Sequence, residues 1–69
     1  MEEQLATFYG NSGNRRADIS KIVDDKHKIY YRVNGYILNE KNHMMLIKSE
    51  KFYVEEMANN YAKIFTWRD

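Results

Sequence analysis

The 69-residue chain contains no cysteine, and this absence removes two kinds of stabilising chemistry. Without cysteine there can be no disulfide framework and no thiolate metal site, which is typical of proteins from a reducing compartment. A chain of this length buries only about 60% of the surface that it exposes when unfolded. We therefore expect one small domain, residues 1–69, with little stability to spare.

Long apolar runs are also missing. The longest aliphatic stretch is Met-Met-Leu-Ile at residues 44–47, and the chain opens with Met-Glu-Glu-Gln rather than with a basic segment followed by apolar residues. The sequence therefore predicts neither a signal peptide nor a membrane span. We expect a cytoplasmic protein that has no membrane partner.

A recognisable catalytic set is missing as well. Hydrolases and transferases bring a nucleophile, a base and an orienting group together in a pocket. The serines and histidines of this chain stand outside any such motif: Ser12, Ser20, Ser49, His27 and His43. We expect no enzymatic activity and no catalytic residues.

Glycine is scarce, with three residues in the chain, and none of them forms a phosphate-binding loop. Gly10 and Gly13 lack the Lys-Ser/Thr pair that follows the glycines in such loops. His27 and His43 would approach each other in an extended central hairpin, where two imidazoles and a carboxylate could hold zinc or iron. Their spacing matches no ligand pattern, and solvated histidines are the favoured interpretation. We expect no cofactor and no bound metal.

The residues that are present suffice for an ordered core. Hydrophobic residues make up 43% of the chain, and Tyr, Phe and Trp are well represented. The polar, glycine-containing stretch at residues 10–14 favours irregular backbone. It predicts that residues 1–16 are either a flexible arm or an edge strand. Asn, Lys, Ile and Tyr, whose codons are rich in A and T, are abundant and indicate an A/T-rich genome such as that of a bacteriophage or a low-GC bacterium.

A hairpin turn is predicted at Asn34 and Gly35. Both residues tolerate the positive φ of a type I′ turn, and apolar and aromatic residues flank them on both sides. In a two-residue turn Val33 faces Tyr36. One face of the hairpin then carries Lys28, Tyr30, Arg32, Ile37 and Asn39.

Two polar turns separate further strands. One turn is predicted at residues 24–26, after the β-branched segment 19–23, and another at residues 39–42, before segment 43–48. The pattern predicts an α+β fold, an antiparallel β-meander of three to four short strands. One C-terminal amphipathic helix should pack on one face of this sheet.

The helix is expected to begin near Ser49, where the apolar period changes from two to 3.6. Ser49 would cap the helix and Glu50 would lie in its first turn. The apolar stripe of the helix is predicted at Val54, Met57, Ala58, Tyr61 and Phe65. Trp67 is expected to close the end of the core.

Charge is concentrated in the middle of the chain. Residues 26–51 contain six basic and two acidic side chains, whereas the segments on either side have an acidic excess. Lys28, Tyr30, Arg32 and Lys41 resemble the stacking and cationic groups that hold single-stranded nucleic acid. The alternative interpretation is an ordinary wet face of an antiparallel sheet.

One helix can cover only one side of such a sheet. The other side would expose a patch with Tyr30, Ile37 and Met45 at its centre and cations at its rim, unless the N-terminal segment folds over it. Tyr, Met and Arg are enriched at protein interfaces. The predicted partner-binding residues are Lys28, Tyr30, Arg32, Ile37, Asn39, Lys41 and Met45.

These patterns favour a non-enzymatic protein-binding module, either a phage-like modulator of a host protein or a homo-oligomer, and free strand edges permit such pairing. One alternative is a module that binds single-stranded nucleic acid on the basic and aromatic sheet face. Another is an accessory or structural subunit of a larger assembly.

Overall fold

The computed structural model describes residues 1–68, and Asp69, the last residue of the predicted domain, lies outside them. The described residues form four strands and one helix. In chain order these are β1 (Glu2–Tyr9), β2 (Arg15–Val23), β3 (Ile29–Leu38), β4 (Met44–Phe52) and α1 (Glu55–Trp67).

Each strand pairs antiparallel with the next, so the order across the sheet is β1-β2-β3-β4. The helix returns across one face of this sheet and packs mainly on the central strands β2 and β3. The predicted α+β meander with a C-terminal helix is therefore confirmed. The N-terminal segment forms edge strand β1 and does not fold over the sheet. We call the face without the helix the open face.

The core lies between α1 and the two central strands. It consists of Ala17, Ile19, Val33, Ala58, Ala62 and Phe65. The alanines on both sides let the helix approach the sheet closely, but they contribute little apolar area. Among the described residues, the largest fully buried side chains are Ile19 and Val33. The fold therefore has the small core that its length predicts.

The predicted turn at Asn34 and Gly35 is wrong, because both residues lie inside the continuous strand β3. Asn34 pairs with Asp18 on one side and Ser49 on the other. A Cβ atom added to Gly35 would lie 2.8 Å from Cζ of Phe65. Glycine within a strand often marks such a close approach. The Phe65 ring therefore packs directly against Gly35, and the chain does not bend there.

The missing bend reverses the predicted faces of the second half of β3. Side chains alternate along a continuous strand, so Val33 and Tyr36 lie on opposite faces. Val33, Gly35 and Ile37 face the helix, whereas Tyr36 and Leu38 belong to the open face with Tyr30 and Arg32.

The chain reverses direction at the predicted polar turns instead. After β2, the carboxylate of Asp24 accepts hydrogen bonds from the backbone N–H groups of Lys26 and Lys28, each at 2.9 Å. After β3, the side-chain oxygen of Asn39 accepts the same pair of bonds from Lys41 and His43, at 2.8 and 3.0 Å. Among the described residues, positive φ occurs at Gly13, His27 and Asn42, one in each connection between strands.

The predicted start of the helix is also wrong. Ser49 and Glu50 belong to β4, and Val54 is the N-cap, without a side-chain hydrogen bond. The acidic first turn is formed by Glu55 and Glu56, where the helix dipole favours anions.

The buried stripe of α1 differs from the predicted one. It contains Ala58, Ala62, Phe65 and Thr66. Val54 and Met57, which the pattern placed on the stripe, are half exposed, and Trp67 is 76% exposed and does not plug the core. The N-cap of the helix is Val54 rather than Ser49, five residues later than predicted, and the helix meets the sheet along a different side.

Candidate functional site

The structure divides the seven predicted partner-binding residues among three places. Tyr30 and Arg32 lie on the open face, and Lys28 lies beside them at the end of the β2–β3 turn. Ile37 and Met45 pair with each other on the helix side of the sheet. The predicted contact area is therefore not one surface.

Asn39 and Lys41 lie in the β3–β4 turn, at the opposite end of β3 from Lys28. The side-chain oxygen of Asn39 is occupied by the turn itself. His27 and His43 are likewise at opposite ends of β3. The described residues contain no group of three or more histidine and acidic side chains that could hold a metal ion.

Tyr30 and Arg32 form part of a cation–tyrosine cluster with Lys51, near the end of β4, and Tyr53, which follows that strand. The Nζ atom of Lys51 lies 4.4 Å from the ring centroid of Tyr30 and 5.4 Å from that of Tyr53. The guanidinium of Arg32 donates a hydrogen bond to the hydroxyl of Tyr30 at 3.4 Å. Tyr30, Lys51 and Tyr53 of this cluster border a shallow cleft of about 420 Å³, which is also lined by Lys26, Lys28 and the acidic pair Asp24 and Asp25.

A second cation lies over a tyrosine at the other end of the open face. The Cζ atom of Arg16 is 4.2 Å from the ring centroid of Tyr36. Arg16 also approaches Asp18, with Nε 3.4 Å from Oδ1, and Asp18 accepts a hydrogen bond from Thr7 at 3.0 Å. The charge of Arg16 is therefore partly neutralised by its neighbour.

Sequence reasoning missed Tyr36, Lys51 and Tyr53, which the structure places with Tyr30 and Arg32 on the open face. Tyr36 was assigned to the wrong face by the expected bend. Lys51 and Tyr53 were assigned to the helix. The adjacent glutamates Glu55 and Glu56 are typical of a first helical turn, and this signal could have placed the helix start after Tyr53.

Strand β4 is exposed to solvent along most of its length. Met45, Leu46 and Ile47 retain 50%, 54% and 44% of their accessible surface. We call residues 44–47, Met-Met-Leu-Ile, the apolar edge. The pairing with β3 shifts by one residue between Gly35 and Tyr36, so that Ile47 bulges from the ladder. Met44 and Leu46 pair with residues of the open face, whereas Met45 pairs with Ile37 on the helix side.

A cleft of about 400 Å³ adjoins this edge on the helix side. It is lined by Arg15, Ile47, Lys48, Tyr61, Ile64, Phe65 and Arg68. It exists because α1 lies over β2 and β3 and leaves β4 largely uncovered. Arg15 closes one end, where its guanidinium donates to the backbone oxygen of Phe65 at 3.2 Å.

Tyr61 stands at the boundary between this cleft and the core. Its ring centroid lies 5.3 Å from that of Phe52 in β4, in a tilted arrangement. Burial raises the pKa of Tyr61, the nearby carboxylate of Glu50 raises it further, and Arg68 lowers it. The ring contact between Phe52 and Tyr61 connects β4 to the helix.

Comparisons of the chain with protein-family models, with curated proteins and with solved structures found no match. Within residues 1–68, no helix has the length and apolar character that crossing a membrane requires.

Proposed function

We propose that the chain is a non-enzymatic protein-binding module that receives a strand of its partner at the free edge of β4. The observation that supports this is the apolar edge, in which Met45, Leu46 and Ile47 each keep close to half of their surface exposed. Sheet edges in monomeric proteins are usually shortened, charged or covered, because their unpaired backbone groups would otherwise pair with another chain. β4 is nine residues long, and its first four residues, 44–47, form one apolar run.

A strand added at this edge would gain two kinds of contact. Its backbone would bond to the N–H and C=O groups of β4 that point away from β3, which supplies affinity without sequence preference. Its alternate side chains would meet Met44 and Leu46 on one face, and Met45 with the helix-side cleft on the other. Side-chain contacts of this kind supply specificity, and methionine adapts to different shapes.

The small core gives such binding a second consequence. A lone core in a chain of this length supplies only about 3–5 kcal/mol. Any partner that binds the folded state alone raises its stability by mass action.

We propose that the module acts in the cytoplasm, where a modulator of a host protein and an accessory subunit of an assembly would both use the same edge.

Affinity capture with matched edge variants tests the proposal. Immobilised wild-type protein is compared with the double variant Leu46→Lys/Ile47→Lys in β4, and with the control Leu5→Lys/Tyr9→Lys, which adds the same charges to exposed positions of β1. The baits are incubated with lysate of the source cells and, separately, with purified untagged chain. Each captured protein is then purified, and its binding is measured directly.

The proposal expects a protein, or the untagged chain, that binds wild type and the β1 control directly and loses at least tenfold in affinity for the β4 variant. Equal binding by the β4 variant would contradict it. Retention of neither a lysate protein nor the untagged chain by wild type would contradict it as well.

Binding of single-stranded nucleic acid is the second candidate, and the cation–tyrosine cluster on the open face favours it. Tyrosine rings and cationic side chains are what such sites use for stacking and phosphate contact. Two features of the cluster make nucleic-acid binding less favoured than protein binding. Lys51 occupies one face of the Tyr30 ring, where a base would stack, and the acidic pair Asp24 and Asp25 borders the same cleft.

Fluorescence anisotropy with labelled oligonucleotides tests this candidate. If the open face binds phosphates, affinity falls steeply with salt, and Arg32→Ala lowers the slope of log affinity against log salt by about one unit. Arg68→Ala, at the end of the helix on the other side of the sheet, is the control. No change in anisotropy at low salt would exclude the candidate.

A further inference from the structure

The charges of β4 follow an order that is complementary to itself. The apolar edge is followed by Lys48, Ser49 and Glu50, and both charged side chains are exposed on the helix side of the sheet. When two identical strands pair antiparallel around a twofold axis, a residue before the axis lies opposite the residue equally far behind it. The order cation, neutral residue, anion therefore pairs with itself when the axis passes Ser49.

We infer that the partner strand of β4 is β4 of a second copy of this chain, paired antiparallel with Ser49 opposite Ser49. This inference rests on the proposed function, since it names the partner for the same edge. Lys48 of each copy then lies opposite Glu50 of the other, which gives two equivalent ion pairs. Such closed, twofold arrangements are the commonest form of homo-oligomer.

Charge excludes the neighbouring registers. An axis at Lys48 places two lysines directly opposite each other, and an axis at Glu50 does the same with two glutamates. Like charges in directly opposed positions destabilise a strand pair. An axis halfway between two residues pairs side chains that point to opposite faces. An axis at Ile47 falls on the bulge, where the ladder is irregular.

The same register covers the apolar edge. If Ile47 bulges from this ladder as it does from the pairing with β3, Leu46 of each copy comes level with Lys51 of the other on the open face, and Met45 comes level with Phe52 on the helix side. Because the axis is perpendicular to the sheet, both helices lie on the same side and the two sheets become continuous. The exposed run of β4 then lies at the centre of the assembly instead of at its rim.

Charge reversal tests the register. Sedimentation equilibrium gives the dimer dissociation constant of wild type and of the single variants Lys48→Glu and Glu50→Lys. Each single variant replaces two attractive pairs by two repulsive ones, and we expect a rise of about tenfold or more in that constant. The double variant Lys48→Glu/Glu50→Lys restores opposite charges, and we expect a value within about threefold of wild type.

Mixing the two single variants tests the register more specifically than measuring each variant alone. Lys48→Glu presents two glutamates and Glu50→Lys presents two lysines, so each completes the pairs of the other. We expect the mixture to form a heterodimer that neither variant matches alone. The control pair is Glu56→Lys and Lys63→Glu, which makes the same changes of net charge at exposed helix positions. Circular dichroism checks that every variant is folded.

Wild-type protein that remains monomeric at millimolar concentration would overturn the inference. Dimers that the single variants leave unchanged, or that the control pair affects equally, would overturn it too. Capture of a different protein by β4 in the preceding experiment would then still support the proposed function, so that the two failures can be told apart.

Discussion

Strands β3 and β4 are neighbours in the sheet, but they differ in the burial of their side chains and in the number of strands that pair with them. β3 has a paired strand on both sides, its Val33 is fully buried, and its Gly35 lies beneath the Phe65 ring. β4 is paired on one side, and its residues from Met45 to Lys51 are exposed. The difference between them shows that the groups that stabilise the fold and the surface proposed to bind a partner lie on separate strands.

The position of the helix causes this separation. α1 lies over β2 and β3, and the alanines at the contact bring it close to them. β4 is left beside the helix rather than beneath it, connected to it by the Phe52–Tyr61 ring contact. Substitutions in β3 or beneath the helix should therefore act on stability, whereas substitutions along β4 should act on binding.

The largest expected effect is that of Phe65→Ala. Removing a buried Phe side chain costs about 3–5 kcal/mol, which equals the stability that a core of this size supplies. We expect the variant to be largely unfolded at 25 °C by circular dichroism. Ile64→Ala, at the exposed neighbouring position, is the control, and its stability should stay close to that of wild type. A folded Phe65→Ala variant would show that the core lies elsewhere.

Gly35→Asn should have the next largest effect, a loss of about 1–3 kcal/mol in the free energy of unfolding, because a Cβ atom at this position collides with the Phe65 ring. Urea denaturation measures it. A type I′ turn would accept Asn, since Asn tolerates positive φ. Wild-type stability of Gly35→Asn would therefore favour a turn and contradict the continuous strand. Gly35→Ala, with the same Cβ, should lose a similar amount.

Leu46→Lys/Ile47→Lys should separate stability from binding. Both positions are exposed, so we expect the free energy of unfolding to change by no more than about 1 kcal/mol for the pair, while affinity for the partner strand falls at least tenfold. Urea denaturation at low protein concentration and the capture experiment measure the two quantities. An unfolded variant would mean that β4 belongs to the core in the same way as β3.

Tyr61→Phe should show the smallest effect, and only at high pH. Because the folded state raises the pKa of Tyr61, its stabilising contribution is present below the unfolded value of about 10 and is lost as the pH rises above it. Wild type should therefore lose more stability than Tyr61→Phe between pH 9 and pH 11 in urea denaturation. Parallel losses would show that the phenol is not in contact with the core.

Local features of the chain were predictable from the sequence. The turns around Asp24 and Asn39 depend on side chains that bond to backbone two and four residues away, and the meander follows from them. Tyr30 and Arg32 were placed on the open face because they precede the misassigned bend. Prediction over such short distances requires no knowledge of the core.

The remaining features depend on contacts between distant residues. Asn34 and Gly35 have the sequence of a turn, and only the ring of Phe65, thirty residues away, explains the glycine in a strand. The same error moved Ile37 into the predicted site and kept Tyr36 out of it. The exposure of β4 also depended on where the helix came to lie. The apolar edge was visible in the sequence as a run, but not as an edge.

Amide hydrogen exchange measured by NMR at increasing protein concentration tests most directly that β4 is the edge at which two copies of the chain pair. The account predicts that the β4 amides that point away from β3 exchange fast in dilute protein and become protected as the concentration rises, while the outward amides of β1 stay unprotected. Exchange in β4 that is independent of concentration up to the millimolar range, or protection that falls on β1, would contradict it.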